Sequence, residues 1–250
     1  MTDPLDYARF VPAYTPLERI RVSRPVDRIL AIKRACQGKK VLDLGALDET
    51  AYDAKQGHGT WVHEEIAAVA SEVIGIDSSC ILPASGLRIT PNAIIYPGDI
   101  MALDAWLGSG PEKDSFLPDV VVAGELIEHL PNPLMFLKKL KAIDRLDGKT
   151  LILTTPNATA IHNCLIGLVS RESTHQDHLC ILSFKTLTTL CHRAGFSAWQ
   201  ITPYYARFPE MKARHSGMGR SLVAVSERMI NGLEWLFPMM GFGYMVTVKI

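Results

Sequence analysis

Short apolar runs recur along the chain and are separated by segments in which apolar residues are spaced three or four apart. Seven runs predict β-strands, at residues 41–45, 73–77, 93–96, 119–123, 150–155, 199–202 and 244–250. Helices are predicted for residues 26–36, 64–71, 132–148 and 184–193, and a further helix is predicted to precede the final strand. Strands that alternate with helices imply a mostly parallel sheet with helices on both faces.

Ligands of such sheets bind at the carboxyl ends of the strands, so the residues that end strands are informative. Here they are largely acidic or small. Asp43 and Gly45 end the first predicted strand, Asp77 ends the second, and Asp99 follows the third. A glycine lets the backbone approach a ligand closely, and an acid at the second strand can accept hydrogen bonds from ribose hydroxyls. The order of these residues predicts a nucleoside-containing ligand.

Amino-acid composition and net charge limit the classes of protein to which the chain can belong. The chain has 250 residues, of which 48% are hydrophobic and 21% charged, so it can bury a sizeable core and is not disordered. The formal net charge is zero, which gives no overall electrostatic case for nucleic-acid binding. Five cysteines without a CxxC pair, and a polar first segment, predict a reduced, cytoplasmic protein. The apolar stretch 229–250 is interrupted by polar residues, proline and glycine, so we expect no membrane span.

Six motifs resemble, in order, those of class I S-adenosylmethionine-dependent methyltransferases. They are Val41-Leu-Asp-Leu-Gly45, Gly75-Ile-Asp77, Gly98-Asp-Ile100, Glu125-Leu-Ile-Glu-His-Leu130, Thr154-Thr-Pro-Asn157 and Ala194-Gly-Phe196. The resemblance covers residues 38–200 and is greatest to bacterial O-methyltransferases of glycan, secondary-metabolite and ubiquinone-type pathways. It implies a Rossmann-like α/β fold with a seven-stranded, mostly parallel sheet and an antiparallel last strand. Residues 1–37 would form an N-terminal arm and helix, 38–200 the donor-binding core, and 201–250 an acceptor-side cap with the final strand of the same domain.

The resemblance also implies roles for the strand-end residues. S-adenosylmethionine would be the methyl donor and S-adenosylhomocysteine the product. Asp43 and Gly45 would line the methionine part, Asp77 would hold the ribose, Asp99 and Ile100 would flank the adenine, and Glu125 would also contact the donor.

The loop after the first strand departs from the family pattern. It has one glycine, Gly45, where the family has GxGxG, and 34 positions separate Asp43 from Asp77 (77 − 43 = 34). The excess lies in residues 50–61, which we interpret as a lid over the site; a neutral surface loop is the alternative.

The segment Glu125-Leu-Ile-Glu-His129 carries the candidate chemistry. If it forms a helical turn, Glu125, Glu128 and His129 share one face and can hold a divalent cation, with His178 as a fourth ligand. The pattern resembles the ExxEH motif of metal-dependent 2′-O-methyltransferases that act on small RNAs, and of some ubiquinone-pathway enzymes. Two alternatives stay open: His129 or His178 acts as a general base without metal, with Glu125 beside it, or the group is structural.

The remaining polar segments concern the acceptor. Asn157 either shapes the acceptor side or satisfies its own loop, and residues 158–180 with the basic stretch 204–220 are predicted to form the acceptor pocket. The sequence thus predicts O-methylation of a saccharide or small natural-product hydroxyl, with a nucleic-acid partner disfavoured. A metal-dependent nucleic-acid 2′-O-methyltransferase and a non-catalytic protein of the same fold are the alternatives. A nicotinamide-dependent oxidoreductase is disfavoured because no G-x-G-x-x-G follows the first strand.

Overall fold

The computed structural model describes residues 17, 19–47, 61–108 and 115–250. Within them, eight strands form one mixed sheet. The strands are β1 (Lys40–Leu44), β2 (Glu72–Asp77), β3 (Leu87–Thr90), β4 (Ala93–Pro97), β5 (Val120–Gly124), β6 (Thr150–Pro156), β7 (Trp199–Tyr204) and β8 (Gly243–Lys249). Their order is β3-β4-β2-β1-β5-β6-β8-β7. Strands β4, β2, β1, β5 and β6 pair in parallel, whereas β8 is antiparallel to both β6 and β7.

Helices cover both faces of the sheet. In the described residues they are α1 (Arg28–Cys36), α2 (Val62–Ala67), α3 (Leu103–Leu107), α4 (Pro133–Lys141), α5 (Ile161–Gly167), α6 (Phe184–Arg193), α7 (Pro209–Arg214) and α8 (Gly217–Leu236). On one face, Ile32 of α1 and Ile66 of α2 pack with β1 and β2 residues. On the other, Phe136 of α4 and Leu187 of α6 belong to the larger core cluster. This two-faced burial explains why the central strands are almost wholly apolar.

Local sequence signals account for the helix boundaries that were predicted. The Asp27 carboxylate accepts from the Leu30 amide and caps α1, and Asn132 with Pro133 begins α4. Ser183 and Thr186 form a reciprocal capping box at the start of α6. All three capping arrangements are local, and those of α4 and α6 were predicted from the sequence. Helix α1 begins at Arg28, two residues after the predicted start at Val26.

The predicted fold class, with its antiparallel last strand, is confirmed, and the sheet gains one strand beyond the seven predicted. The added strand, β3, pairs antiparallel with β4 at the sheet edge. Residues 204–220, predicted to contribute to the acceptor pocket, contain α7 and the start of α8. No described helix combines the length and the apolar character needed to cross a bilayer. The predicted lid lies outside the described residues except for Trp61.

Candidate active site

The loop after β1 is held by two aromatic side chains that begin α2. Trp61 Nε1 donates to the Ala46 carbonyl at 2.8 Å. The His63 ring is fully buried, and its Nδ1 lies 2.9 Å from Oδ2 of Asp43, which is itself 3% exposed. Because a carboxylate accepts, Nδ1 of His63 carries the proton. His63 Nε2 has no hydrogen-bond partner among the described residues. The Asp43 carboxylate is thus fixed by a side chain twenty positions later in the sequence.

Two glycines permit this packing. Gly45 has φ +70°, and a Cβ there would lie 2.8 Å from Leu126 Cδ1 in the loop after β5. A Cβ on Gly75 would lie 2.9 Å from His63 Cε1 and 2.7 Å from the Ala46 Cβ. Side chains at these positions would push the loop after β1 away from the sheet.

The two acids beyond β2 and β4 are oriented by nearby amides. Asp77 accepts from the Leu47 amide through Oδ2 and from the Ser79 amide through Oδ1, both at 2.9 Å. Asp99 caps the short 3-10 turn Ile100–Ala102 by accepting from the Met101 amide at 2.8 Å. These hydrogen bonds fix the orientation of both carboxylates.

Glu125 does not share a helical turn with Glu128 and His129, and that expectation was wrong. Glu125 has φ +53°, a left-handed conformation, and the 3-10 turn spans only Ile127–His129. The Glu125 carboxylate instead accepts from the Tyr204 hydroxyl at 2.7 Å and lies 3.3 Å from Nη1 of Arg28. Burial, and then the Glu125 charge, raise the pKa of Tyr204, so the phenol stays protonated and donates.

Glu128 is a buried carboxyl group. It is 0% exposed, and Oε2 accepts from the Thr155 hydroxyl at 3.0 Å, while Oε1 has no partner among the described residues. Burial, followed by the charge of Glu125, raises the pKa of Glu128 to about 8. A buried acid with an open acceptor beside other ligating groups is characteristic of functional sites.

Two histidines, His129 and His178, lie close to this carboxyl group, and His175 lies beside them. The rings of His129 and His178 are 4.7 Å apart between centroids, and those of His129 and His175 are 6.2 Å apart. His129 Nδ1 lies 3.2 Å from the Asp177 carbonyl, which can only accept, so in the neutral form of the ring Nδ1 carries the proton and Nε2 the lone pair. Burial, with the neighbouring histidines, lowers the pKa of His178.

Glu128, His129 and His178 each offer a ligand atom, and these atoms lie within 4.8 Å of one another. One carboxylate and two imidazoles suit a borderline divalent cation. Two of their buried atoms, Glu128 Oε1 and His178 Nδ1, have no hydrogen-bond partner among the described residues, as expected of groups placed for a ligand. The three residues are called the EHH cluster below; Glu125 lies outside it.

Other predicted acceptor residues are engaged within the protein. Asn157 is fully buried, donates to the carbonyls of Met239 and Gly241, and accepts from the Thr159 amide and hydroxyl. Its amide therefore ties β6 to the segment before β8. In the basic stretch, Arg207 pairs with Asp27 and Lys212 pairs with Glu227.

Four residues of the site were not predicted from the sequence. His63, Arg28, Thr155 and Tyr204 reach their partners across 20, 97 (125 − 28), 27 and 79 positions. Tyr204 ends β7 and Thr155 ends the predicted strand 150–155, so the strand-end rule would have selected both; His63 and Arg28 have no comparable signal.

Comparison with known proteins agrees with this architecture. The profile of a family described as "Methyltransferase domain" matches residues 17–201. A crystal structure of the small RNA methyltransferase HEN1 is 15% identical with a TM-score of 0.52, and the match covers 93% of this chain and 27% of that one. A DUF574 family protein from Streptomyces avermitilis is 15% identical, with a TM-score of 0.51 and coverage of 89% and 80%.

A further structure with this fold is a SAM-dependent methyltransferase from Archaeoglobus fulgidus, at 16% identity and a TM-score of 0.46, with 89% of this chain and 90% of that one covered. No protein of curated function matches the sequence significantly.

Proposed function

Because the chain belongs to the methyltransferase domain family and is an S-adenosylmethionine-dependent methyltransferase, we propose that it methylates a hydroxyl oxygen of a saccharide or small natural product. The observation that carries the proposal is the EHH cluster. Transfer to a hydroxyl requires a group that accepts or acidifies the hydroxyl proton. The cluster follows β5, whose neighbour in the sheet is β1, so it lies at the same edge of the sheet as the donor loop.

For the donor, we propose that Asp43 and Gly45 line the methionine part and that Asp77 accepts from the ribose. Asp99 and Ile100 would flank the adenine. In support, the Asp77 carboxylate is already oriented by two amides, and Asp43 is held by His63. S-adenosylmethionine supplies an electrophilic methyl group when bound.

Glu125 contributes to the site through the geometry of the loop after β5. Its hydrogen bond to Tyr204 and its ion pair with Arg28 are both made by Oε1. We propose that Oε2 contacts the donor or acceptor, a positioning role that replaces the predicted metal ligation.

The EHH cluster has the chemistry to bind a divalent cation, and we propose that it does. Its donor set and its two unpartnered buried atoms fit such an ion. A bound cation would lower the pKa of an acceptor hydroxyl. His129 is already oriented for ligation, because its Nδ1–H is held by the Asp177 carbonyl and Nε2 is left with a lone pair. The neutral form of His178 is favoured by burial.

A second candidate acceptor is a ribose 2′-hydroxyl of RNA. The observation that favours it is the same cluster, since Glu128, His129 and His178 fall in the pattern resembling the ExxEH motif of metal-dependent 2′-O-methyltransferases. A small RNA methyltransferase has a similar fold, so an RNA acceptor is compatible with this architecture. Zero net charge favours the small acceptor.

The cluster can be tested with labelled S-adenosylmethionine and a panel of sugars, phenols and short RNAs, in chelator and with Mg²⁺, Mn²⁺ or Zn²⁺. We expect Glu128→Gln and His178→Ala to lower kcat roughly 100-fold while the affinity for S-adenosylhomocysteine, measured by calorimetry, stays constant. His175→Ala is the matched control, because its imidazole lies beside the cluster but outside it.

Full activity in chelator would show that methyl transfer needs no cation. Full activity of both variants would show that the EHH cluster takes no part in the reaction. Methylation confined to short RNAs would replace the small acceptor by the second candidate.

A further inference from the structure

The ion pair between Arg28 and Glu125 leaves hydrogen-bonding groups unused on both of its members. Arg28 uses Nη1 for Glu125 and for the Thr154 hydroxyl, which lies 3.4 Å away, and its Nε and Nη2 have no partner among the described residues. Glu125 uses Oε1 for Arg28 and for the Tyr204 hydroxyl, and its Oε2 has no partner in the same part of the chain. The two side chains are 23 and 30% exposed, so the spare groups lie in a site partly shielded from water.

Several contacts fix the position of this pair before any ligand arrives. Thr154, which is fully buried in β6, accepts from the Glu125 amide through its hydroxyl at 3.1 Å and through its carbonyl at 3.0 Å. The Arg28 guanidinium lies 5.7 Å from the centroid of the Tyr204 ring. The charges of Arg28 and Glu125 are therefore held in place by β6 and β7, as is usual for residues that bind a ligand.

The pair adjoins the loop after β1. Strands β1 and β5 are parallel neighbours, with Leu44 opposite Ala123. A Cβ on Gly45 would lie 2.8 Å from Cδ1 of Leu126, the residue that follows Glu125. The loop that contains Gly45 and the loop that contains Glu125 are thus in direct contact at the carboxyl edge of the sheet.

The chemistry of the donor matches a pair of opposite charges. The methionine end of S-adenosylmethionine is an α-amino acid, which at neutral pH carries a carboxylate and an ammonium on one carbon atom. A charge that leaves water needs a partner of opposite sign. A guanidinium binds a carboxylate through parallel N–H groups, and a carboxylate oxygen accepts from an ammonium. An acceptor that carried only a negative charge would bind Arg28 but would be repelled by Glu125.

We propose that Arg28 and Glu125 together bind the α-amino acid end of the methyl donor. Arg28 donates to the carboxylate with the N–H groups that Thr154 and Glu125 leave unused, and Glu125 accepts from the ammonium through Oε2. This inference rests on the proposed function, which places the methionine part of the donor beside Asp43 and Gly45.

Calorimetric titration of the full chain with three ligands tests the proposal. S-adenosylhomocysteine carries both charged groups, its decarboxylated analogue carries only the ammonium, and 5′-methylthioadenosine carries neither. We expect Arg28→Met to raise the Kd for S-adenosylhomocysteine roughly 30-fold and to leave the other two Kd values within about twofold. Glu125→Gln should raise the Kd for S-adenosylhomocysteine and for the decarboxylated analogue about tenfold, with 5′-methylthioadenosine unchanged.

Two further variants control for loss of charge and for misfolding. Lys33→Met removes a cation from the same helix that is paired with Glu65 and has a similar exposure of 27%, and it should bind all three ligands like the wild type. Arg28→Lys keeps the charge but loses the planar fork, so it should raise the Kd for S-adenosylhomocysteine by about fivefold. Arg28→Lys decides the question if Arg28→Met does not fold.

The differences among the ligands decide the outcome. An Arg28→Met protein that binds S-adenosylhomocysteine as the wild type does, or that loses affinity for all three ligands equally, would overturn the proposal. Unchanged binding of the decarboxylated analogue to Glu125→Gln would overturn the assignment of the ammonium to Glu125.

The donor and acceptor parts of the proposed function are tested separately from this inference. No acceptor is present in the titrations, so failure of the proposed hydroxyl methylation would leave their result unaffected. Asp77→Asn should weaken all three ligands alike, because each contains the ribose. Wild-type affinities in Asp77→Asn would refute the ribose contact, whereas the ligand dependence of the Arg28 variants would still decide the role of Arg28.

Discussion

At the scale of single residues, the loop after β1 has few glycines, and side chains from other parts of the chain hold its backbone in place. Where related loops have three glycines, this one has Gly45 alone, followed by Ala46 and Leu47. The Ala46 carbonyl is held by Trp61, and the Leu47 amide is held by Asp77. A loop of this kind loses less conformational entropy on folding than a glycine-rich one.

His63→Phe tests the anchoring of Asp43. The ring keeps its volume but loses the hydrogen bond to Asp43, so the carboxylate is buried without its donor. We expect the Kd for S-adenosylhomocysteine to rise roughly tenfold, which corresponds to about 1.4 kcal/mol. His162→Phe is the control, because that ring stacks on Phe242 and lies outside the donor loop. An unchanged Kd in a folded His63→Phe protein would show that Asp43 does not depend on His63.

At the scale of elements, the loop after β5 is where α1, β5 and β7 meet. Glu125 adopts a left-handed conformation that costs a non-glycine residue about 1 kcal/mol. The contacts of its carboxylate with Arg28 from α1 and Tyr204 from β7 compensate for this cost. Glu125 therefore keeps a strained backbone conformation directly after β5. Such strain is typical of functional sites and supports a positioning role for Glu125.

Tyr204→Phe should therefore weaken the junction of the three elements. Removing a hydrogen bond to a charged group costs about 1.5–3 kcal/mol, which chemical denaturation measures as a lower free energy of unfolding. Tyr205→Phe, the control, should change the free energy of unfolding by less than about 0.5 kcal/mol. If Tyr204→Phe and Glu125→Gln had strictly additive effects, the two side chains would not be coupled as the structure indicates.

Much of the fold follows from local signals, whereas much of the site does not. The seven predicted strands and the caps of α1, α4 and α6 depend on neighbouring residues. Strand β3 was missed because it has three half-exposed residues and one exposed residue at the sheet edge, where no apolar run is required. The acids at strand ends could be identified, but the conformation of Glu125 is set by side chains 97 and 79 positions away (125 − 28 = 97). The burial of Glu227 and Glu234 of α8 likewise depends on residues distant in the sequence, because the two side chains accept hydrogen bonds from the amides of Phe208 and Ala206.

At the scale of the whole molecule, Glu234 couples the stability of the fold to pH. Burial raises its pKa from an ordinary 4.5 to about 7, and hydrogen bonds from Ala206 and Phe242 and the charge of Arg207 offset this only in part. Between these two pH values the folded protein holds a proton that the unfolded chain has released. The contribution of Glu234 to stability is therefore present at acid pH and is lost as the pH rises through about 7.

Glu234→Gln should flatten this part of the stability profile. The amide oxygen still accepts from Ala206, but the group no longer titrates, so the free energy of unfolding should change less between pH 5 and pH 8, by up to about 3 kcal/mol. Glu172→Gln, at an exposed position, should retain the wild-type profile. Identical profiles for wild type and Glu234→Gln would show that the carboxyl group is not protonated in the fold.

The position of β8 between β6 and β7 has a consequence for folding during synthesis. Among the described strands, β7 pairs with β8 alone, and β8 is made about forty residues later (243 − 204 = 39). Until β8 emerges from the ribosome, the apolar edge of β6 stays unpaired and β7, α7 and α8 have no sheet to dock on. The nascent chain therefore exposes a strand edge that favours aggregation, and β8 acts as the closing segment that ends this exposure.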